Sequence, residues 1–419
     1  MLDIKLLRDD PALVKESQRR RFQPESDVDD VIDLDRQWRA AQFNLEKKSA
    51  EINKIEKEIA KLLRTNGDSA NLLAEKGALE NEHTELKLRA SKLKLELDSK
   101  LKSLGNLVHD SVPVSSNEKD KVVVTKWGVP RQDQEALENH VSLCKKLDAV
   151  DVERGAAVAG HRGYYLLDPG FELNMALVNF GLKFLKDRGY RKIQTPTLMD
   201  KAVMKCCAQL SQFDEELYEL AGEGKYLIAT SEQALCGYLK DNNVAPESLP
   251  LRYAGYSSCF RKEAGSHGKD TLGIFRVHEF QKVEQFCVTS PETSWDMLEE
   301  MIKTSEDFYQ QLGLPYQVVN VVSGELNDAA AKKYDLEAWF PAAGKYEELV
   351  SCSNCTDYQA RSLNIKSGKK LVHLLNCTLV ATQRTMCCIV ENYQTRNGVR
   401  VPEVLQPFMD GTTFLPFPK

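Results

Sequence analysis

Two long apolar stripes at helical spacing constrain this chain more than any other feature. Val31, Leu34, Trp38, Ala41, Leu45, Ile52, Ile55, Ile59 and Leu62 recur at steps of three and four, with Lys48 as the polar interruption. That is a heptad seam. Thr65-Asn-Gly-Asp68 is a turn signal. A second run follows, with Leu72, Leu79, Leu86, Ala90, Leu93, Leu97, Leu101, Leu104 and Val108 on one side. Two helices of ~37 residues joined by a tight turn make an antiparallel hairpin, an arm reaching about 55 Å at 1.5 Å rise per residue. Ahead of it, residues 1–24 read as a short helix, the basic run Arg19-Arg20-Arg21 and a break at Pro24. After it, Val112-Pro-Val-Ser-Ser-Asn-Glu-Lys-Asp120 reads as a linker, followed by a shorter helix over 134–147. From Gly163 onward the chain alternates strands and helices without repeats and reads as one α+β domain.

Bulk properties narrow the classes. A chain of 419 residues has room for two or three domains with full cores. Its net charge of −6 argues against bulk electrostatic binding of nucleic acid, so any such surface is a local patch. From Thr84 to Leu104 the second helix carries six Lys/Arg against three Asp/Glu. That basic stretch fits a solvated coiled-coil face, and it also fits a probe that touches a phosphate backbone. The start, Met-Leu-Asp-Ile-Lys-Leu-Leu-Arg, has neither a secretory h-region nor the character of a transit peptide, and no apolar run is long enough to span a bilayer. Eleven cysteines scattered through a large chain suit a reducing compartment. Cys352-Ser-Asn-Cys355 is a lone C-x-x-C; His373 and Cys377 do not complete a standard zinc spacing, and buried thiols are the plainer reading. Cys206, Cys207 and Cys236 leave a redox bridge open.

The segment from Tyr256 to Phe280 reads as two strands joined by a Gly-rich loop at 264–273. Successive strand side chains point to opposite faces. Arg261 and Glu263 then share one face of the first strand, and Arg276, His278, Phe280, Lys282 and Glu284 share one face of the second. So many charges around one aromatic ring fit a nucleotide site: Arg for a phosphate, a carboxylate for an amino group, a ring for a base. The same residues also fit an exposed hairpin face.

Three further segments join it. The stretch 181–196 reads as a helix, then a strand ended by Pro196. Tyr226-Leu-Ile-Ala leads into Thr230-Ser231-Glu232 at a helix start, which by itself is a capping arrangement. The stretch 374–393 runs from a strand carrying Asn376 and Thr378 on one face into a helix with Arg384 near its N-terminus.

In this order the segments resemble the three motifs of class II aminoacyl-tRNA synthetases, and more narrowly those of the seryl-tRNA synthetase family of eukaryotic cytosolic type. The resemblance covers essentially the whole chain, arm included. Its most specific stretches are 208–218, Thr230-Ser-Glu232, the hairpin from Arg261 to Glu284, Glu348-Leu-Val-Ser-Cys-Ser-Asn-Cys355, and 376–391. Glu279 departs from the family pattern, where Gln is commoner.

The resemblance implies a fold class of α+β: a class II antiparallel β-sheet catalytic domain with helices, preceded by a long antiparallel α-helical coiled-coil arm. The implied domains are a tRNA-binding domain at 1–112, a linker at 113–130 and a catalytic domain at 131–419. It implies a cytoplasmic homodimer that activates L-serine with ATP and Mg²⁺, then transfers it to tRNA(Ser), and to tRNA(Sec) where that is made. The element at 181–196 resembles the one that forms the dimer interface. Arg261, Glu263 and Arg384 are the implied catalytic residues. Serine would meet Thr230, Ser231, Glu232, Arg261, Glu284, Asn376 and Thr378. ATP would meet Arg261, Lys262, Glu263, Val277, Phe280, Glu348, Leu349, Val350, Ser351 and Arg384, with adenine held between Phe280 and Arg384. Glu348 and Ser351 would hold the metal. With about 26 residues after Tyr393, an anticodon-reading domain of ~100 residues is not expected. The arm, through Lys87, Arg89, Lys92 and Lys94, would instead grip the long variable arm of the tRNA. Three alternatives stay open: a synthetase for threonine or proline, a non-catalytic paralogue, and a coiled-coil scaffold. The first is disfavoured by the Thr230, Glu284, Thr378 set, the second by intact Arg261, Glu263, Glu348 and Arg384, and the third by how much of the chain lies outside the arm.

Overall fold

Proline has no amide hydrogen and breaks a helix in which it sits internally. The computed structural model, which describes residues 1–132, 137–208, 216–263 and 272–418, accordingly splits the stretch expected as one helix into α1 (Ile4–Asp9) and α2 (Pro11–Arg20). The Asp10 side chain caps α2 by accepting from the Leu13 amide, and Pro11 takes the first turn, where its missing donor costs nothing. The chain then runs out along α3 (Ser26–Arg64) and returns along α4 (Ala70–Lys102). These helices belong to the compact unit Met1–Gly105, and Asn106–Lys419 forms a second.

The seam packs as its spacing dictates. Every position named from Val31 to Leu101 is buried or half-buried, whereas Phe43, Leu63, Leu88 and Leu95, off the stripe, are exposed. The helices are unequal, 39 and 33 residues, because α4 stops at Lys102. Leu104 and Val108, expected within that helix, lie beyond it and are buried outside any helix. Midway along, the seam turns polar. Lys48 pairs with Glu51 at 2.9 Å and with Glu82 across the hairpin at 3.0 Å. Ser49 Oγ lies 3.0 Å from His83 Nε2, and Lys76 pairs with Glu56 at 2.8 Å. Solvent-screened ion pairs of this kind contribute little to stability, whereas a fully buried Leu or Ile contributes roughly 1.5–3 kcal/mol. Ile55, Ile59, Leu97 and Leu101 therefore hold the hairpin together, and the polar layer fixes its register.

The second unit is built on eight strands: β1 (Val122–Trp127), β2 (Arg191–Gln194), β3 (Leu251–Phe260), β4 (Glu279–Thr289), β5 (Tyr316–Asn320), β6 (Lys332–Phe340), β7 (Lys345–Asn354) and β8 (His373–Ala381). Their order is β1-β5-β6-β7-β8-β4-β3-β2, antiparallel throughout except β2 against β3. The stretch expected as a linker thus supplies the edge strand β1, whose Val-Val-Val-Thr run suits a strand. The helix expected at 134–147 is shorter, α5 (His140–Lys146): 137–139 are described and not helical, the Asn139 side chain caps α5 by accepting from the Ser142 amide, and 133–136 fall outside the described residues. The helix expected from Gly181 is longer, α6 (Asp168–Lys186), because Leu173, Ala176, Leu177 and Phe180 extend its buried face upstream. β2 ends two residues before Pro196. α7 (Ser231–Tyr238), α8 (Ser294–Gln311) and α9 (Thr382–Tyr393) complete the frame.

Alternation along β4 separates core from cleft. Val283 and Cys287 join the main core with Met301 and Phe308 of α8, and the Gln285 amide donates to the Met301 carbonyl. Phe280, Lys282 and Glu284 point the other way, into the cleft described below.

In the first unit the group with most at stake is Asp35, its side chain 2% exposed. Arg8 bonds it at 2.6 and 2.9 Å and Arg39 at 2.9 Å. Burial alone would raise its carboxyl; the two guanidinium groups outweigh that and hold it below the ordinary value. Asp35→Asn is expected to cost the first unit about 1–3 kcal/mol at neutral pH, less than a wholly buried pair because both arginines keep solvent contact. A carboxyl with a lowered folded pKa stabilises above its unfolded value, and that contribution is lost as pH falls through the folded one. The gap between variant and parent in thermal melts should therefore shrink once pH drops below about 3.9. A gap that stays constant down to the acid transition contradicts this.

Candidate active site

The cleft opens on the sheet face away from α8. Its walls come from β4, β7 and β8, from the N-termini of α7 and α9, and from the segments that follow β3 and precede β4. About 950 Å³ lies between them, open solvent included, the size of an ordinary small-molecule pocket.

Pairing places the polar end. In register, Glu284 stands opposite Gly255 of β3 and Thr378 of β8. A Cβ on Gly255 would come within 2.8 Å of Ser231 Oγ and 2.9 Å of Leu235 Cδ1. Glycine is what lets α7 lie close enough for Ser231 to reach Glu284. Glu284 Oε2 accepts from Thr230 Oγ1 at 2.7 Å, Ser231 Oγ at 2.7 Å and the Glu232 amide at 3.2 Å. Oε1 accepts from Lys282 Nζ at 2.9 Å. Burial would raise this carboxyl; Lys282 and the two hydroxyls outweigh it, and it stays below its ordinary value. Glu232 fares differently. Burial, then the charge of Glu284, push it up to about 7, although the Gln359 amide donates to it at 2.7 Å. Two neighbouring carboxylates in a desolvated site do not ionise equally. Asn376 and Thr378, on the same face of β8, close this end.

Cations gather at the other end. Arg261 follows β3 directly; its amide donates to the His278 carbonyl at 2.9 Å, and its own carbonyl lies 2.9 Å from His278 Nδ1. Its guanidinium carbon stands 5.3 Å from the centre of the Phe280 ring. Glu263 turns into the cleft with φ +51° and pairs with Arg276 at 3.2 Å. Arg384, in the first turn of α9, donates to the carbonyls of Phe275 at 3.3 Å and Glu348 at 3.1 Å. It lies 5.0 Å over Phe275 rather than over Phe280. The walls alone would raise the Glu348 carboxyl, but Arg384, Lys333, Arg261 and Arg276 hold it below its ordinary value.

The donors near Glu348 suit a hard cation. Ser351 lines the cleft beside it, and Asp335, opposite Ser351 in register on β6, has a buried Oδ1 without a hydrogen-bond partner. Burial raises Asp335 to about 7. Among the described residues no cluster of three or more His, Cys, Asp or Glu side chains forms a closed metal cage. Two carboxyls and a hydroxyl fit Mg²⁺, which keeps waters and takes substrate phosphates as ligands rather than an all-protein cage.

Thirteen of the expected site residues line this one cleft: Thr230, Glu232, Arg261, Glu263, Val277, Phe280, Glu284, Glu348, Leu349, Ser351, Asn376, Thr378 and Arg384. Three do not. Ser231 is fully buried beneath Glu284, Val350 is fully buried in the sheet, and the Lys262 amide is tied to the Glu216 carbonyl. The expected hairpin face needs correcting at two points. β3 ends at Phe260 and β4 starts at Glu279, so Arg261, Glu263, Arg276 and His278 lie outside the strands. His278 bonds the Arg261 backbone instead of lining the cleft. The loop read at 264–273 falls mostly outside the described residues, as does most of 208–218. Gln383, Asn327, Ser353 and Phe275 line the cleft without having been singled out. Gln383 sits one residue before Arg384 in a first helical turn, the only signal that pointed to it.

Cys352 and Cys377 face each other in register, His373 Nδ1 lies 2.8 Å from Ser294 Oγ, and Cys207 is a free thiol bonded to helix carbonyls, as Cys236 is free and buried. On the arm, helical spacing puts Lys87 and Lys94 on one flank of α4, and Arg89 and Lys92 elsewhere. Lys94 pairs with Asp98 at 2.6 Å and lies 5.2 Å over the Trp38 ring. Lys92 is 79% exposed.

Comparison with known proteins agrees along the whole chain. Residues 1–108 match the model of the seryl-tRNA synthetase N-terminal domain, and 215–393 match the class II tRNA synthetase core domain for Gly, His, Pro, Ser and Thr. The chain is 58% identical to a serine–tRNA ligase of Helianthus annuus, covering 100% of this chain and 99% of that one. It is 54% identical to a cytoplasmic serine–tRNA ligase of Arabidopsis thaliana, over 100% and 96%. The solved seryl-tRNA synthetase of Pyrococcus horikoshii complexed with ATP superposes with a TM-score of 0.93 at 38% identity, covering 100% of both chains.

The two carboxyls at the polar end lead to a pH test. Between its ordinary value near 4.3 and about 7, folded Glu232 holds a proton that the unfolded chain has given up. Its contribution to stability therefore falls as pH rises through that window. Glu232→Gln is expected to raise the melting temperature relative to the parent above pH 7 and to leave it nearly unchanged at pH 5. An equal shift at both values would mean that Glu232 ionises normally.

Proposed function

The chain belongs to the seryl-tRNA synthetase family of class II aminoacyl-tRNA synthetases, and from that premise we propose that it joins L-serine to tRNA(Ser) in two steps. A serine carboxylate oxygen attacks the α-phosphorus of ATP, and pyrophosphate leaves. A hydroxyl of the terminal ribose of the tRNA then attacks the acyl carbon, giving up its proton, and AMP leaves. The observation that carries the reading is one cleft with a hydroxyl-and-carboxylate end at Thr230, Glu284 and Thr378 and an arginine end at Arg261, Arg276 and Arg384.

Each residue then has a task. Arg261 holds the α-phosphate and the serine carboxylate, placing charge where it develops on phosphorus. Phe280 stacks beneath adenine and Arg384 above it, which requires Arg384 to leave Phe275. Glu263 accepts from the adenine amino group, and the Val277 backbone meets the ring edge. Thr230 and Glu232 receive the serine ammonium; Glu284, Asn376 and Thr378 receive its hydroxyl. Glu348 and Ser351 would hold Mg²⁺, with Asp335 behind them, and the ion would neutralise charge on the phosphates. A pocket built to bond a hydroxyl rejects alanine because its buried polar groups would lose their partner. Threonine must be excluded by shape.

The purified chain is expected to exchange pyrophosphate into ATP with serine, more slowly or not at all with threonine, alanine or proline, and not in EDTA. It should sediment as a two-fold dimer at micromolar concentration. Arg261→Ala should lower kcat/KM by roughly 2.7–4 kcal/mol, the cost of one preorganised donor to developing charge. Faster exchange with threonine or proline than with serine would overturn the assignment.

We propose further that the arm of α3 and α4 reads the shape of a long variable arm. Lys and Arg contacts to phosphate position RNA and are salt-sensitive, and they carry little sequence information. Relatives carry "cytoplasmic" in their names, and no described helix is long and apolar enough to cross a membrane; a cytoplasmic site of action fits both. Deleting 45–97 should leave serine-dependent exchange nearly intact and cut tRNA charging by orders of magnitude. Neutralising Lys87, Arg89, Lys92 and Lys94 together should weaken tRNA binding and flatten its salt dependence. Normal charging by the armless protein would sink this reading, as would loss of charging on changing the anticodon alone.

A further inference from the structure

Among the described residues, Lys282 is the one cation at the polar end of the cleft. Its side chain is 7% exposed, and that of Glu284, its partner, 2%. Nζ donates to Glu284 Oε1 at 2.9 Å and to Thr230 Oγ1 at 2.8 Å. An ammonium group has three N–H donors, so among the described residues one remains without a partner, on a residue that lines the cleft. Glu284 Oε2 already takes three donors, from Thr230, Ser231 and the Glu232 amide. Among the described residues Oε1 takes only Lys282, and a carboxylate oxygen has room for a second bond. A free N–H and a free acceptor position therefore sit side by side, joined by an ion pair. A hydroxyl fills both at once, its oxygen accepting and its hydrogen donating. A methyl group fills neither.

We infer that Lys282 is a specificity-determining residue of the amino-acid pocket, donating to the oxygen of the substrate hydroxyl whose hydrogen goes to Glu284, and keeping Glu284 in the ionised form that this requires. The inference rests on the proposed reading of this end of the cleft as the serine pocket. Two physical arguments support it. Glu284 and Glu232 are neighbouring carboxyls in a desolvated site, and without a cation beside them such a pair shares a proton. A protonated Glu284 loses its attraction for a substrate ammonium and competes as a donor against the substrate hydroxyl. The positive charge of Lys282 also repels the serine ammonium. That drives the ammonium toward the Glu232 carboxyl, and the hydroxyl toward Lys282. Among the described residues, the titratable and charged groups facing Glu284 are Glu232 and Cys236 from α7, Cys259 from β3 and Lys282 itself.

The test is pyrophosphate exchange with serine and with alanine, by the full-length parent, Lys282→Met and Lys282→Arg, across pH 6.5–9. Lys282→Met is expected to raise the KM for serine about tenfold or more, with the KM for ATP changed less than about twofold, and to lower the serine-to-alanine ratio of kcat/KM by about tenfold. Raising the pH should recover part of the serine KM in Lys282→Met alone, because Glu284 regains its charge there. Lys282→Arg, which keeps charge and donors, should retain most of the selectivity. A residue that merely supports the fold would lower both amino acids equally and show no recovery with pH. The inference is overturned if the serine-to-alanine ratio of Lys282→Met stays within about twofold of the parent, or if Lys282→Arg loses selectivity as fully as Lys282→Met. A parent that does not exchange with serine would instead overturn the reading of the whole site.

Discussion

The register of β4 between its two neighbours decides what the cleft contains. One frame sets Glu284 opposite Gly255 on one side and Thr378 on the other. Side chains alternate along a strand, so a slip of one residue would exchange Phe280, Lys282 and Glu284 for Gln281, Val283 and Gln285. The cleft would lose its charges, and Lys282 and Glu284 would enter the core beneath α8. Two features oppose that slip. Val283, Gln285 and Cys287 have fixed partners on the helical side, including the bond from the Gln285 amide to the Met301 carbonyl. Gly255 lets α7 close over Glu284 at that position alone. The fold and the site are specified by the same pairings.

The parts of this architecture that were legible in the sequence share a property: their signal is local and periodic. The arm could be read because a heptad seam repeats over many turns, and because Lys48 interrupts it only once in α3. The same reading missed Lys76 and His83 on α4, since leucines on either side keep the stripe continuous to the eye. Their partners, Glu56 and Ser49, lie on the other helix, and such pairings do not appear in a one-dimensional pattern. The break at Pro11 is equally local: a proline opens a helix and does not continue one, so the single helix expected over the N-terminal stretch divides there.

The cleft was legible to a different degree. The motif order brought most of its lining residues into view, through resemblance more than through periodicity. Strand alternation then over-reached. It extended β4 back to Arg276 and put His278 on the cleft face, whereas the strand starts at Glu279 and His278 spends its ring on the Arg261 backbone. The role of Lys282 could not be read from the sequence either. Its chemistry depends on how many bonds Glu284 already accepts, and those come from α7, about fifty residues earlier in the chain.

Charge accounting ties the two ends of the cleft together. Among the described residues four cations line it, Arg261, Arg276, Lys282 and Arg384, against four carboxyls, Glu232, Glu263, Glu284 and Glu348. The pairs Lys282–Glu284 and Arg276–Glu263 are closed. Arg261 and Arg384 make no ion pair among the described residues, and each lies over an aromatic ring. Those two are therefore the guanidinium groups that can turn to a phosphate without first breaking a salt bridge. A triphosphate carries more negative charge than two arginines balance, and Glu348 adds to the excess. On the proposed reading the remaining charge would be met by a cation that arrives with the substrate, and for such a cation the sparse oxygen donor set at Glu348, Ser351 and Asp335 would suffice. On the same proposed reading, an amino acid would enter the polar end with no net charge. The polar end can stay balanced around it only if Lys282 and Glu284 remain a pair throughout.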